Sequence, residues 1–109
     1  MSSKFVLVTG ATGAIGYSIA KLFSDKGYNV IGTGRNKNKI EKLKEEFFAA
    51  IQIDLLEENS CEKLFERVFE LTDRLDVLVN NAGEYVWAPA EKTTQEQVSR
   101  LTEHNRIFI

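Results

Sequence analysis

The sequence predicts an α/β fold in which helices cover both faces of a doubly wound parallel sheet. Short apolar runs alternate along the chain with longer segments whose apolar residues recur at helical spacing. Alternation of this kind gives right-handed βαβ crossovers and therefore parallel strands. A glycine-rich turn between the first strand and the first helix supports the same fold class. Open α/β sheets bind their ligands at such turns.

Four segments have the character of strands buried on both faces, since they are short apolar runs bounded by polar residues or glycine. They are residues 5–8, 29–33, 50–53 and 75–79. In such a sheet the chain builds outward from the first strand to the third, and the fourth returns to the other side of the first. A ligand cleft is therefore expected where the strand order reverses.

The first two helices are predicted from their apolar stripes. The first begins at Ala14 and ends near Gly27, where glycine can adopt the left-handed conformation of a helix end. Its stripe consists of Ile15, Ile19, Leu22 and Phe23. A second, highly charged helix has one apolar face, formed by Ile40, Leu43 and Phe47.

Two further helices are predicted from capping signals. Asn59 and Glu62 have the spacing of a capping box, in which each side chain bonds a free backbone N–H at the helix start. The stripe of this third helix consists of Cys61, Leu64, Phe65, Val68 and Phe69. Thr93 and Glu96 repeat the signal, and the last helical segment continues through Val98 and Leu101 toward Ile107.

Length and composition restrict the class of protein. The chain has 109 residues, 43% apolar and 28% charged, which indicates one domain over residues 1–109. A formal net charge of −2, without a long run of one sign, argues against nucleic acid as a partner. Cys61 is the only cysteine, which suits a reducing compartment. Because the first apolar run is too short for a signal peptide or a membrane span, a cytoplasmic location is expected.

The glycine turn has the features of a phosphate-binding loop. Residues 9–16 read Thr-Gly-Ala-Thr-Gly-Ala-Ile-Gly and leave the backbone uncovered where the first helix has unpaired N–H groups. Glycine there permits the tight turn, the approach of a pyrophosphate and the packing of helix on strand. A nucleoside triphosphatase loop would continue with Lys and then Ser or Thr, whereas Gly16 is followed by Tyr17 and Ser18. The loop favours a dinucleotide, and the alternative is a glycine-rich connection without a ligand.

Arg35 follows the second strand, about twenty residues beyond the glycine loop. An NAD-binding sheet commonly has an acidic residue there for the ribose hydroxyls, whereas a 2′-phosphate calls for arginine. Arg35 can donate a planar fork of hydrogen bonds to phosphate, and Lys37 and Lys39 add positive charge. The sequence favours NADP(H) over NAD(H), and the alternative is a solvated arginine at the start of a basic helix.

Three motifs, in this order, resemble the short-chain dehydrogenase/reductase superfamily. They are the glycine motif at residues 9–16, Asp54 after the third strand, and Asn80-Asn81-Ala82-Gly83 after the fourth. The resemblance runs from Phe5 to about Asn105 and covers the N-terminal half of a family member. It implies a Rossmann fold, truncated here after about four strands. It also implies an oxidoreductase that transfers hydride between NADP(H) and a small or lipid-like carbonyl or alcohol substrate.

The resemblance implies roles for individual residues. Asp54, with Leu55 beside it, corresponds to the aspartate that accepts from the adenine amino group, and the alternative is a loop aspartate. Residues 81–83 correspond to the segment that lies against the adenosine. Asn105 corresponds to the catalytic asparagine that holds a water for proton relay, and the alternative is a helix cap. The cofactor-binding residues expected in all are Gly10, Thr12, Gly13, Ile15, Gly16, Arg35, Asp54, Leu55, Asn81, Ala82 and Gly83.

The sequence departs from the family pattern in two ways. The spacing T-G-x-x-G-x-x-G is typical of the branch with larger substrate domains, whereas N-N-A-G belongs to the shorter branch. The family's catalytic serine and Tyr-x-x-x-Lys pair follow the fourth strand and helix, and they have no counterpart here. Tyr17 and Lys21 have the Tyr-x-x-x-Lys spacing, but they lie beside the phosphate loop rather than near the nicotinamide.

Two functional hypotheses remain open. The leading one is the cofactor-binding half of an oxidoreductase, whose 109 residues alone are expected to be inactive and whose full-length form is expected to be a homo-oligomer. The other is a non-catalytic nucleotide-binding or interaction module derived from the same fold. No metal is expected, because His104 is the only histidine and lacks partners at ligand spacing.

Overall fold

The computed structural model describes residues 4–81 and the backbone of residues 107–108. Within these residues, five parallel strands form one sheet in the order β3-β2-β1-β4-β5, once the strands are numbered along the chain. The strands are β1 Phe5–Val8, β2 Asn29–Gly34, β3 Ala49–Gln52, β4 Val77–Val79 and β5 Ile107–Phe108. The helices are α1 Ala14–Asp25, α2 Lys37–Glu46 and α3 Ser60–Leu71. This doubly wound architecture confirms the predicted fold class.

The strand order reverses beside β1. Val6 of β1 is in register with Val30 of β2 on one side and with Val77 of β4 on the other. Strand β2 in turn pairs in parallel with β3. The carboxyl ends of these four strands therefore meet at one edge of the sheet, where such folds bind their ligands.

Each face of the sheet has its own hydrophobic cluster. Because successive strand side chains point to opposite faces, Val6 and Val8 pack in one cluster and Leu7 packs in the other. The first cluster includes Ala20, Val30, Ile40, Leu43 and Phe47, from α1, β2 and the α2 segment; the second includes Ile31, Leu64, Phe65, Val68 and Leu78, with three residues from α3. This burial on both faces accounts for the continuous apolar runs of the strands.

The starts of two helices differ from the expectations. The capping box predicted at Asn59 is wrong, because Asn59 has a φ of 61° and its side chain makes no cap hydrogen bond. A cap residue normally has extended backbone, whereas Asn59 lies within a turn in which the Ser60 N–H donates to the Glu57 carbonyl over 3.2 Å. Asn36, which the sequence analysis did not single out, caps α2 by accepting from the Lys39 N–H over 3.1 Å.

The last strand also differs from the prediction. Ile107, assigned from the sequence to the end of the last helical segment, lies in β5 with Phe108. These two residues pair with Val77 and Leu78 of β4, so β4 has a strand on both sides. Val98 and Leu101 of the predicted helix lie outside the described residues. No helix in residues 4–81 is long and apolar enough to cross a bilayer.

Candidate functional site

A cleft of about 270 Å³ opens at the carboxyl ends of strands β1 to β4. It contains seven of the residues predicted to bind a cofactor, which are Gly10, Thr12, Gly13, Arg35, Asp54, Leu55 and Asn81. Thr33, Gly34 and Ile53 complete its lining. The fold therefore brings together residues from four separate strand ends, as expected at the reversal of strand order.

The glycine loop is held in a tight turn by its own backbone and by β2. Gly10 has a φ of 67°, a left-handed conformation that favours glycine. Its N–H donates to Thr33 Oγ1 over 3.3 Å, and its carbonyl accepts from the Gly13 N–H over 3.2 Å. The Ala11 N–H donates to the Thr33 carbonyl over 2.8 Å. The loop conformation is thus determined without a ligand.

Gly16 allows α1 to pack closely against the glycine loop and does not line the cleft. A Cβ at Gly16 would overlap the Gly10 carbonyl oxygen and lie 2.7 Å from Asn81 Nδ2. Gly16 is buried in α1 and does not line the cleft. Ile15, the other predicted residue within 4–81 that does not line the cleft, is 70% exposed. Only the first part of the loop therefore faces the cleft.

Asn81 connects the end of β4 to the glycine loop. Its backbone N–H donates to Thr9 Oγ1 over 3.0 Å, and its Nδ2 donates to the Gly10 carbonyl over 3.4 Å. The Thr9 hydroxyl in turn donates to the Val79 carbonyl over 3.3 Å. Thr9 and Thr33 are fully or almost fully buried. Their hydroxyl groups form hydrogen bonds within the site, and the sequence analysis did not predict this role. For Thr9 the available signal was a hydroxyl residue at the end of a strand, directly before the glycine turn.

Arg35 lies at the rim of the cleft. It is exposed, and no described carboxylate pairs with its guanidinium. Its backbone carbonyl accepts from Gln52 Nε2 of β3 over 3.2 Å. Gly34 precedes it, and a Cβ there would lie 2.5 Å from Thr12 Oγ1, so β2 and the glycine loop approach closely.

Asp54 begins the loop between β3 and α3. Its Oδ1 accepts from the Leu56 N–H over 2.9 Å, and its carbonyl accepts from the Glu57 N–H over 3.1 Å. The Ile53 N–H donates to the Gly34 carbonyl over 2.9 Å, which extends the sheet up to Asp54. These contacts hold the carboxylate at the edge of the cleft.

The side chain of Asn80 contains a buried oxygen atom that can accept a hydrogen bond. Its Oδ1 has no hydrogen-bond partner among the described residues. Buried polar atoms are nearly always bonded to protein, water or a ligand. Ala82 and Gly83, which follow Asn81 in the chain, and the predicted catalytic Asn105 lie outside the described residues.

Tyr17 and Lys21 are engaged with other side chains. The Tyr17 hydroxyl donates to Glu46 Oε1 over 2.9 Å, and Lys21 Nζ lies 3.4 Å from Asp25 Oδ1. The hydrogen bond to Glu46, then desolvation and the charges of Glu46 and Asp25, raise the pKa of Tyr17 above its usual value. A proton-transfer tyrosine needs a pKa moved down toward the working pH, so this arrangement is the opposite of a catalytic one.

Comparison with known proteins identifies what the chain is similar to. Residues 4–107 match the family described as short chain dehydrogenase. The 3-oxoacyl-acyl-carrier-protein reductase of Aquifex aeolicus is 37% identical over 90 residues, which are 76% of this chain and 36% of that protein. The NADP-dependent 3-hydroxy acid dehydrogenase of Salmonella typhi is 35% identical over 104 residues, which are 92% of this chain and 42% of that protein.

Solved structures give the same result. The 3-ketoacyl-acyl-carrier-protein reductase of Brucella melitensis, solved in complex with NADH, superposes with a TM-score of 0.68 at 30% identity. The match covers 75% of this chain and 35% of that one. The chain thus spans only about two fifths of the two curated relatives described above.

Proposed function

Because the chain belongs to the short chain dehydrogenase family, we propose that it forms the cofactor-binding part of an NADP(H)-dependent oxidoreductase that interconverts a carbonyl and an alcohol. The observation that carries this proposal is the cleft in which Gly10, Gly13, Arg35, Asp54 and Asn81 meet. Its relatives are oxidoreductases, and the 3-hydroxy acid dehydrogenase is NADP-dependent by name.

The glycine loop fits a pyrophosphate. Gly13 precedes α1 with extended backbone, φ −87° and ψ 166°, and has no side chain to occupy the free N–H groups of the helix start. The first turn of α1 contains no acidic residue that would repel an anion. Aligned peptide dipoles favour negative charge at this end of a helix. We assign Gly10, Thr12 and Gly13 to the pyrophosphate, with Ile15 beside them.

The remaining lining residues fit the adenosine half of the dinucleotide. Asp54 is assigned to the adenine amino group, with Leu55 against the ring and residues 81–83 along the adenosine. Arg35 is assigned to the 2′-phosphate, because its exposed guanidinium has no described carboxylate partner. Gly16 acts indirectly, since it permits the loop to pack against α1.

The nicotinamide supplies the hydride when the cofactor is bound, and the protein residues position it and its substrate. Asn105 is assigned to hold a water for proton relay. Residues 1–109 are assigned to the N-terminal part of a single dinucleotide-binding domain, in a cytoplasmic protein that forms homo-oligomers. The substrate is proposed only as a small or lipid-like carbonyl or alcohol compound.

Calorimetric titration with NADP⁺ and with NAD⁺ tests the proposal. We expect NADP⁺ to bind about tenfold or more tightly than NAD⁺, because a hydrogen bond to a charged group contributes about 1.5–3 kcal/mol. Circular dichroism before titration verifies that the chain is folded. Absence of heat with both dinucleotides would remove the proposal, and tighter binding of NAD⁺ would remove its NADP part.

A further inference from the structure

A second cavity, of about 450 Å³, adjoins the cofactor cleft between the carboxyl end of β3 and α3. It shares Arg35, Ile53 and Asp54 with the cleft. Its other lining residues are Gln52, Glu57, Lys63 and Arg67. A ligand in the cleft therefore has a route past Asp54 and Arg35 to side chains of α3.

Three of the lining side chains are cationic, and none of them forms an ion pair with a carboxylate of residues 4–81. Arg35, Lys63 and Arg67 are all exposed. The ion pairs of the described residues are formed elsewhere, by Lys21 with Asp25, Lys44 with Glu41, and Arg74 with Asp76. The cations of this cavity are therefore available to an anion.

Gln52 joins the two arginines. Arg67 Nη1 donates to the Gln52 carbonyl over 3.4 Å, and Gln52 Nε2 donates to the Arg35 carbonyl over 3.2 Å. The guanidinium of Arg67 is thus held at the end of β3 by Gln52, the same residue whose side chain bonds the Arg35 backbone. Its bond to a neutral carbonyl leaves its charge uncompensated.

Lys63 and Arg67 are also neighbours on α3. They are four residues apart, so they lie on the same helix face, and like charges at this spacing destabilise a helix. An anion bound between them would relieve that repulsion.

The same cavity is also lined by two carboxylates, Asp54 and Glu57, which restrict the kind of anion that could bind there. Asp54 Oδ1 already accepts from the Leu56 N–H, and Glu57 contributes a second negative charge. Carboxylates disfavour a bare polyanion, but they accept hydrogen bonds from an amino group. A ligand that carries both an amino group and a phosphate, as an adenosine with a phosphorylated ribose does, offers a hydrogen-bond donor to the carboxylates and an anion to the cations.

We propose that Lys63 and Arg67, together with Arg35, are specificity-determining residues that bind the phosphate monoester on the adenosine ribose of NADP(H). This inference rests on the proposed function, because it concerns the same cofactor. It extends the phosphate site from the β2 end to α3. Arg67 has the planar fork that suits two phosphate oxygens, and Lys63 supplies a point charge beside it.

The test compares the Lys63→Gln/Arg67→Gln double variant with wild type in calorimetric titrations. We expect the affinity for NADP⁺ to fall about five- to tenfold and that for NAD⁺ to change less than about twofold, since exposed charge pairs are individually weak. Adenosine 2′,5′-bisphosphate should show the same loss as NADP⁺, and adenosine 5′-monophosphate should not. Arg67→Lys, which keeps the charge, should recover part of the loss.

Lys26→Gln is the matched control, because Lys26 follows α1 at the end opposite the glycine loop. It removes a positive charge and should leave both affinities unchanged. The thermal unfolding of all variants should match that of wild type, since the substituted side chains are exposed. Added salt should weaken NADP⁺ binding less in the double variant than in wild type.

The two proposals fail in different ways. If wild type prefers NADP⁺ and the double variant keeps the full preference, or loses both dinucleotides equally, the role of Lys63 and Arg67 is overturned and the proposed function stands. If wild type binds neither dinucleotide, the proposed function fails and this inference fails with it. If wild type prefers NAD⁺, the phosphate site is wrong and the dinucleotide-binding function remains.

Discussion

The backbone N–H of Asn81 donates to the hydroxyl oxygen of Thr9 over 3.0 Å, so the residue after β1 and a residue just after β4 are bonded across the sheet edge. The same hydroxyl donates to the Val79 carbonyl. Thr9 is fully buried, and water therefore cannot replace its bonds. The two central strands are joined directly below the candidate cofactor cleft.

Thr9→Val should lower the free energy of unfolding, because it keeps the shape of the side chain and removes both of these bonds. Leaving buried donors and acceptors without partners costs about 1–3 kcal/mol. Urea unfolding followed by circular dichroism measures the effect. Ser18→Ala is the control, since the Ser18 hydroxyl bonds the Ala14 carbonyl on an exposed helix surface, and we expect a change within about 0.5 kcal/mol. Equal effects of the two substitutions would contradict the prediction.

Gly16→Ala should lower the stability of the protein, whereas Gly13→Ala should lower its affinity for dinucleotide. A Cβ at Gly16 overlaps the Gly10 carbonyl, whereas a Cβ at Gly13 meets that oxygen at an ordinary 3.6 Å. Helix propensity favours alanine at Gly16 by about 1 kcal/mol, but overpacking costs about 1–3 kcal/mol, so Gly16→Ala should be the less stable variant. Urea unfolding measures this order.

Gly13→Ala should fold with nearly wild-type stability and bind dinucleotide more weakly, because its new methyl group stands where the pyrophosphate is proposed to approach. Calorimetric titration of the folded variant measures that loss. A Gly13→Ala variant with wild-type affinity would contradict the assigned pyrophosphate site, and a Gly16→Ala variant as stable as wild type would contradict the packing argument.

Arg35→Asp should weaken NADPH binding much more than NADH binding. The substitution replaces a fork of donors with a carboxylate, which repels a phosphate and can accept from ribose hydroxyls. We expect the ratio of the two affinities to change at least about tenfold. Arg35→Lys, which keeps the charge without the fork, should give an intermediate ratio. An unchanged preference on titration would remove the 2′-phosphate assignment.

The strand ends were predictable because a parallel sheet brings its carboxyl ends to one edge. Gly10 and Arg35 were predicted from the glycine loop and from the position after β2, whereas Asp54 and Asn81 were predicted from the family resemblance. All four follow an apolar run and line one cleft. Thr33 was not predictable as a site residue, since a β-branched residue in a strand already has a reason to be there. Its hydroxyl becomes part of the site only through the close approach of the glycine loop.

The local features that the sequence analysis missed depend on tertiary pairing. Strand β5 has only two residues, and it is defined by its parallel pairing with Val77 and Leu78 of β4. Asn59 matched a capping box by spacing, but the turn from Asp54 delivers it in the left-handed region, where its side chain makes no cap bond. Spacing identifies which residues could cap, and the path of the preceding loop decides which one does.

The raised pKa of Tyr17 predicts how the stability of the protein changes at high pH. The side-chain hydrogen bond to Glu46 is its first cause, and desolvation and the charges of Glu46 and Asp25 act in the same direction. A pKa raised in the folded state stabilises the protein below the ordinary tyrosine value of about 10, and this contribution is lost as pH rises through the raised value. Wild type should therefore lose more stability than Tyr17→Phe when the pH is taken above about 10.

Spectrophotometric titration separates Tyr17 from the other two of the three tyrosines, because the wild-type curve minus that of Tyr17→Phe isolates one phenol. Its midpoint should lie above the ordinary tyrosine pKa, and Glu46→Gln should move it down, since the substitution removes both the carboxylate acceptor and its charge. Lys21→Gln is the control for the Tyr-x-x-x-Lys spacing: Lys21 pairs with Asp25, so its loss should move the midpoint little. A midpoint below the ordinary value that depended on Lys21 would instead give Tyr17 the character of a proton-transfer residue, and the assignment of this pair as structural would be wrong.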